Sequence, residues 1–266
     1  MSESLAIRRS TGNKRGVAAV LQRLSYVLRH QGDLVEARTT AAESLALHGE
    51  LGDQSGVAYS LNTLGNVARD QGDYASAAQL LHECLDLQRH VGDRQGAAYS
   101  LHQLGIVARA NGDLTTASRL AGESLAIFRT LRHKRGIAYA LAGSGSISRQ
   151  QGDTTTARRL LAESLTIQQQ LGDRRGARNV LEELASLAMV RGAPDEAARL
   201  FGAFAALLDE SSQASDPAAS PQHDRLVDAV RAQFSEERFA LLRAGGQAMT
   251  VDQVAALAGC ESETGP

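Results

Sequence analysis

The sequence predicts an all-α protein: a right-handed αα-hairpin solenoid closed by a small C-terminal helical cap. Three observations carry that prediction. The chain repeats itself every 40 residues, and such a period marks stacked supersecondary units. Its apolar residues are mostly Ala and Leu, with no Trp and 4% aromatics, which suits closely packed helices and not sheets. Only four Pro occur, none before Pro194, so a long helical array is unobstructed.

The repeat keeps register without insertion or deletion for about five cycles. Gly16, Gly56, Gly96, Gly136 and Gly176 form one column; Gly32, Gly72, Gly112, Gly152 and Gly192 form a second. Ala37, Ala77, Ala117, Ala157 and Ala197 form a third, and Leu21, Leu61, Leu101, Leu141 and Leu181 a fourth. Each cycle holds two helices. In the second cycle Val57, Leu61, Leu64 and Ala68 keep the spacing of one apolar helical stripe. Gly72 ends that helix as a C′ glycine, and Asp73 caps the next one and opposes its dipole. Ala77, Leu80, Leu81, Cys84 and Leu87 carry the second stripe, which stops at Gly92-Asp93. The same pair recurs at Gly32-Asp33, Gly52-Asp53, Gly112-Asp113, Gly152-Asp153 and Gly172-Asp173. Helix, short break, helix is an αα-hairpin, and stacked αα-hairpins make a solenoid.

Two small-residue columns bear on packing. Gly65, Gly105 and Gly145 face the Ala77-type column of the partner helix, so the two backbones are expected to approach near the low end of ~8–10 Å interaxial distances. The Gly56 column sits in the first turn of each first helix. A helical Gly costs roughly 0.5–1 kcal/mol against Ala, so its recurrence predicts a place where a neighbouring helix leaves no room for a side chain. A hinge in every repeat is the alternative.

Leu64, Gly65, Ala77, Leu81 and the small Cys84 sit at the spacings of the tetratricopeptide signature, in a form that resembles its longer, 40-residue version. The resemblance covers residues 1 to about 210. The signature Trp and the closing Pro of each repeat are missing, and the connector Leu171 to Gly176 stands in place of that turn. This version resembles the C-terminal sensor arrays of bacterial NTPase-containing transcriptional regulators of the maltose-regulator type, in which the array senses a signal or a partner. The stretch from Ala197 to Ala258, with Phe201-Gly202-Ala203 and later Phe239, Gly246, Thr250 and Ala255, is similar to how those arrays end.

The expected organisation is a half repeat plus five αα repeats over residues 1–210, a flexible linker over 211–222, a helical cap over 223–260 and a tail over 261–266. Glu3-Ser4-Leu5-Ala6-Ile7 matches Glu123-Ser124-Leu125-Ala126-Ile127, so the first residues read as a second helix without its first. Either the chain is a piece of a longer array, or a half repeat docks at its end. Ser211 to Gln222 is rich in Ser, Ala, Asp and Pro and reads as a loop. Ser235 is a fitting N-cap with Glu236 and Glu237 in its first turn, and Thr250 to Gln253 forms a capping box. A three-helix DNA-reading unit is the lesser alternative here, because the segment is not basic.

No chemistry announces itself. There is no GxxxxGK[ST] loop and no GxSxG elbow, and Gly143-Ser144-Gly145 falls within a helix. The seven His residues hold no paired-ligand spacing, and Cys84 and Cys260 define neither a disulfide framework nor a metal site. The expectation is no enzyme, no metal and no cofactor. A net charge of −2 with a pI near 6.4 argues against direct nucleic-acid binding. No apolar run approaches a membrane span and the first residues, Met1 to Ser4, show no apolar h-region, which makes a cytoplasmic protein the default expectation.

Binding fits what varies. In tetratricopeptide arrays the first helices line the concave side, which implies a groove stripe here of Arg23 and Tyr26, then Tyr59, Asn62 and Asn66, then Tyr99, His102 and Gln103, then Tyr139. Unlike the packing columns, this stripe changes between repeats. The tyrosines can pack apolar groups and hydrogen-bond through their hydroxyls, or they can cover the seams between repeats. A second row, Arg29, Arg69, Arg109 and Arg149, can hold carboxylates or phosphates. The favoured reading of that row is structural: each Arg lies in the last turn of a helix, relieving its dipole, with an Asp33-type carboxylate near. The partner expected is a protein or peptide segment or a small signal molecule, with an upstream NTPase module. The function expected is a sensor or interaction module of a transcriptional regulator; a free-standing adaptor joining two proteins is the alternative.

Overall fold

In the computed structural model, residues 8, 10–209, 221–250, 253, 254, 256 and 257 are described, and twelve helices lie among them. Most of the linker expected over 211–222, the tail over 261–266 and the half repeat before Arg8 lie outside the described residues. The chain divides into two compact units, Met1–Leu131 and Arg132–Pro266.

The first unit contains α1 (Lys14–Gln31), α2 (Leu34–Glu50), α3 (Gln54–Asp70), α4 (Tyr74–His90), α5 (Arg94–Ala110) and α6 (Leu114–Thr130). They pair as the hairpins α1–α2, α3–α4 and α5–α6, and each hairpin packs on the next through α2–α3 and α4–α5. The second unit contains α7 (Lys134–Gln150), α8 (Thr154–Gln170), α9 (Arg174–Val190) and α10 (Pro194–Asp209), again as two hairpins, followed by α11 (Pro221–Arg231) and α12 (Glu236–Gln247). The architecture is all-α and of the stacked-hairpin type that the 40-residue period predicts.

The breaks between helices follow one design with a period of 20 residues. Glycine in the left-handed conformation closes one helix, at φ between 64° and 85°, and the next residue caps the following helix. Asp33, Asp53, Asp73, Asp93, Asp113, Asp153 and Asp173 each accept from the backbone N–H three residues on. One connector departs: Arg132 holds φ 51° where the others have glycine, and His133 caps α7 through Nδ1, 2.9 Å from the Gly136 amide.

Inside the first four hairpins the second helix is tied to the first by a recurring polar link, and Phe204 takes that place in the fifth. Ser44, Ser124 and Ser164 donate to the carbonyls of Ala18, Ala98 and Ala138, each 26 residues earlier, at 3.2, 2.8 and 2.7 Å. Cys84 fills the same place, its thiol 3.1 Å from the Ala58 carbonyl. These buried groups satisfy one another, which removes the cost a lone buried hydroxyl would carry.

The glycine columns have separate causes. At Gly65 and Gly145 a Cβ would lie 3.5 and 3.3 Å from the carbonyls of Ala77 and Ala157, and 2.8 and 2.7 Å from Cγ of Leu81 and Leu161. This is the close approach predicted for that column. The Gly56 column answers to something other than a neighbouring backbone. A Cβ at Gly56, Gly96 or Gly176 would strike the buried side chain eight residues earlier: His48, Gln88 or Gln168.

In the second unit α10 packs on α9, and α11 and α12 pack on α10. Phe201, Phe204, Val230, Phe239 and Leu242 join Leu181 and Leu184 in one core, and Arg158 on α8 donates to the carbonyl of Leu257 at 2.8 Å. Pro194 stands first in α10, where its missing N–H costs nothing. Ser235 caps α12, and Thr250 and Gln253 exchange the reciprocal bonds of a capping box.

Candidate partner-binding face

The first helices of the first unit, α1, α3 and α5, carry positions that change from hairpin to hairpin, such as Arg23/Thr63/Gln103 and Gln22/Asn62/His102. The unvarying columns, Ala58, Leu61, Ala98 and Leu101 among them, are turned inward and buried. Burying each Leu contributes roughly 1.5–3 kcal/mol, which explains why these positions repeat. Positions facing water are released from that constraint.

On this face Tyr26 and Tyr59 are the open aromatics, 48% and 39% exposed. The Tyr26 ring meets His30 edge-on at 4.3 Å. Partial burial pushes the Tyr59 hydroxyl above its ordinary pKa, the proximity of Tyr26 adds to this, and Arg29 opposes it. Arg23 is exposed. Tyr99 is half-buried and packs edge-on against Phe128 at 4.8 Å, so its ring belongs in part to the fold.

Asn66 is turned inward. It is buried and its amide donates to both the carbonyl and the side chain of Asn62, at 2.9 Å each. Asn62 itself is half-buried at the rim.

The arginine row does not take its partners from the Asp33-type column, whose carboxylates are committed to capping. Arg29 pairs with Asp70 at 2.7 Å, Arg69 pairs with Asp70 at 2.7 Å and donates to the Gln103 side chain, and Arg149 in the second unit pairs with Glu183 at 3.1 Å. The contacts Arg29–Asp70, Arg69–Gln103 and Arg149–Glu183 link neighbouring first helices, in addition to any relief of the helix dipole. Arg109 has no ion pair and no side-chain hydrogen bond among the described residues; the residue after it is Ala110 where Arg69 has Asp70. His102, two turns before Arg109, is half-buried, and its pKa is pulled down to about 4 by burial first and then by the charges of Arg69 and Arg109. It is therefore neutral near pH 7.

The second unit offers less open surface on its first helices. The Tyr139 hydroxyl donates to Asp173 at 2.9 Å. On α9, Glu182 faces His223 of α11 at 3.6 Å, and burial raises the pKa of Glu182 while His223 opposes the shift. His223 stacks on Phe204 at 4.3 Å beside a cavity of about 210 Å³ lined by Phe201, Phe204, Val227, Phe239 and Arg243. The covering of α9 by α11 had no signal in the repeat pattern, since α11 lies outside it.

The Glu column on the second helices is partly engaged between hairpins: Arg89 on α4 reaches Glu123 on α6 at 3.0 Å. Burial raises the Cys84 thiol to about 11, so it stays protonated. Among the described residues no group of three or more His, Cys, Asp or Glu is placed to hold a metal, and no helix is long and apolar enough to cross a membrane.

Residues 56–130 match the tetratricopeptide repeat family model. No curated protein matches the chain. Among solved structures it is similar to BtubC (BKLC) from P. vanneervenii, at 16% identity and a TM-score of 0.64, covering 82% of this chain and 92% of that one. It is also similar to the nearly identical repeats of a putative kinesin light chain of Podosopora anserina, at 18% identity, TM-score 0.55, and coverage of 74% and 96%. The apo form of RapI gives 14% identity, TM-score 0.57, and coverage of 81% and 83%. The chain thus has a tetratricopeptide-like helical-repeat fold, and the repeats of residues 56–130 carry the family's own sequence pattern.

Proposed function

We propose that the chain is a non-catalytic binding module, and that the first-helix face of its first unit takes up a segment of a partner protein. Tetratricopeptide repeats are an interaction scaffold, and one observation favours this face: it carries the open rings of Tyr26 and Tyr59, and the positions of Arg23, Tyr26 and His102 change from hairpin to hairpin while the packing columns beneath them do not. A surface that reads an irregular ligand needs such variation. Two open tyrosines supply rigid amphipathic area at low entropic cost.

At the finer level, the module serves as the sensor or interaction part of a bacterial transcriptional regulator with an NTPase module. An in-frame NTPase-encoding stretch beside this one would support that role; an isolated gene whose product joins two proteins would favour the adaptor instead. The binding reading is tested with purified wild-type chain and a Tyr26→Ser/Tyr59→Ser variant. Loss of partner capture with an unchanged melting temperature is expected. Capture that persists in the variant removes this face as the site.

A further inference from the structure

The whole-chain net charge of −2 conceals a segregation. Within the first unit, α1, α3 and α5 carry seven Lys or Arg against one acidic residue, Asp70. The second helices α2, α4 and α6 carry four against six. The two sides of the hairpin stack therefore differ in sign, and the first-helix side is the cationic one.

On that face Arg29 and Arg69 share Asp70, and Arg69 also holds Gln103. Arg109 is left with five N–H donors that no described residue accepts, on a side chain already half withdrawn from water. Relief of the α5 dipole suits a cation there, but it satisfies none of those donors. A planar fork that is partly desolvated and unmatched is matched best by a carboxylate, which can accept two of its N–H groups side by side. The ring of His102 lies on the same side of α5, seven residues earlier, available for a further hydrogen bond.

We infer that the first-helix face of the first unit selects acidic peptide segments, with one Asp or Glu carboxylate of the ligand seated on Arg109 beside His102. The inference rests on the reading of this face as the binding surface and adds the chemistry of its ligand.

The test is selection of random dodecapeptides displayed on phage against the full chain, followed by synthesis of the recovered peptides. Displayed peptides carry no phosphate, so the selection reads carboxylates. Recovered sequences are expected to be rich in Asp and Glu. Arg109→Gln, with unchanged melting, is expected to weaken the best of them about tenfold, with partial recovery in Arg109→Lys and steep weakening in high salt. Neutral or basic peptides that lose binding in the Tyr26→Ser/Tyr59→Ser variant overturn the acidic preference and leave the face standing. Acidic peptides indifferent to Arg109→Gln overturn the seat. Peptides indifferent to both variants, or no peptide at all, overturn the inference together with the binding face.

Discussion

Gly202 on α10 and Gly246 on α12 meet backbone to backbone. A Cβ on Gly202 would fall 2.0 Å from the Arg243 carbonyl oxygen, and one on Gly246 would fall 1.9 Å from that of Arg199. Neither oxygen can move without breaking a helix, so the obstruction is rigid. Gly202→Ala or Gly246→Ala gains about 1 kcal/mol in helix propensity yet must separate α10 from α12. A net loss of about 1–3 kcal/mol is expected, measured by thermal unfolding, with proteolysis advancing first in α12. Unchanged stability would contradict the crossing.

Glycines of one column need not respond alike. Gly65 and Gly145 face Leu81 and Leu161, which are fully buried and cannot turn aside, whereas the corresponding partner of Gly105 is Ala121, and a Cβ there meets nothing nearer than 3.5 Å. Gly65→Ala and Gly145→Ala should each lose about 1–2 kcal/mol through the displaced leucine. Gly105→Ala should be neutral or gain up to about 1 kcal/mol from the removed backbone freedom. Three melting curves decide this, and equal losses at all three sites would refute it.

These contrasts mark what the 40-residue period could and could not reveal. A column such as Ala77 or Leu61 tells which residues share an environment, because burial in every unit selects the same shape. It says nothing of where a long side chain ends. Arg29 and Arg69 both converge on Asp70, and Arg149 goes to Glu183, choices that depend on neighbouring helices and on rotamers. Asn66 was placed on the groove stripe by spacing, yet its side chain turns back to Asn62 and is buried. The Gly56 column was legible as crowding, but the crowding group, a side chain eight residues earlier, is His48 in one repeat and Gln88 or Gln168 in others. The charge segregation is present in the sequence, and it emerges only once the helices are sorted into firsts and seconds.

The connector before α7 is the one described connector in which the glycine itself is replaced. Arg132 sits at φ 51°, a conformation that costs an L residue roughly 1–2 kcal/mol. His133 supplies a ring nitrogen where other helices have a carboxylate, which also gives up the favourable charge at the helix N-terminus. Arg132→Gly and His133→Asp are each expected to stabilise the second unit by about 1 kcal/mol. Chemical denaturation should show a raised midpoint with an unchanged slope. A fall in the midpoint would mean that these two side chains are held by other contacts worth more than the turn.

Acid should loosen the connectors. Asp73, Asp113 and Asp153 are held below their ordinary pKa of 3.8, first by the hydroxyls of Ser76, Thr116 and Thr156 and then by the backbone amides of the same residues. A folded-state pKa below the unfolded one means the charged form is the one the fold prefers. The stabilisation is therefore complete above the unfolded value and disappears as the pH falls from about 3.8 through the lower folded values. Melting temperature should stay level with respect to these groups from neutral pH down to that point and drop below it. In the triple variant Asp73→Asn/Asp113→Asn/Asp153→Asn the side chains can still cap but cannot titrate, so the drop should become shallower. An equally steep acid transition in that variant would assign it to other carboxylates, such as Asp53, whose pKa the Gly56 amide lowers most and His48 lowers further.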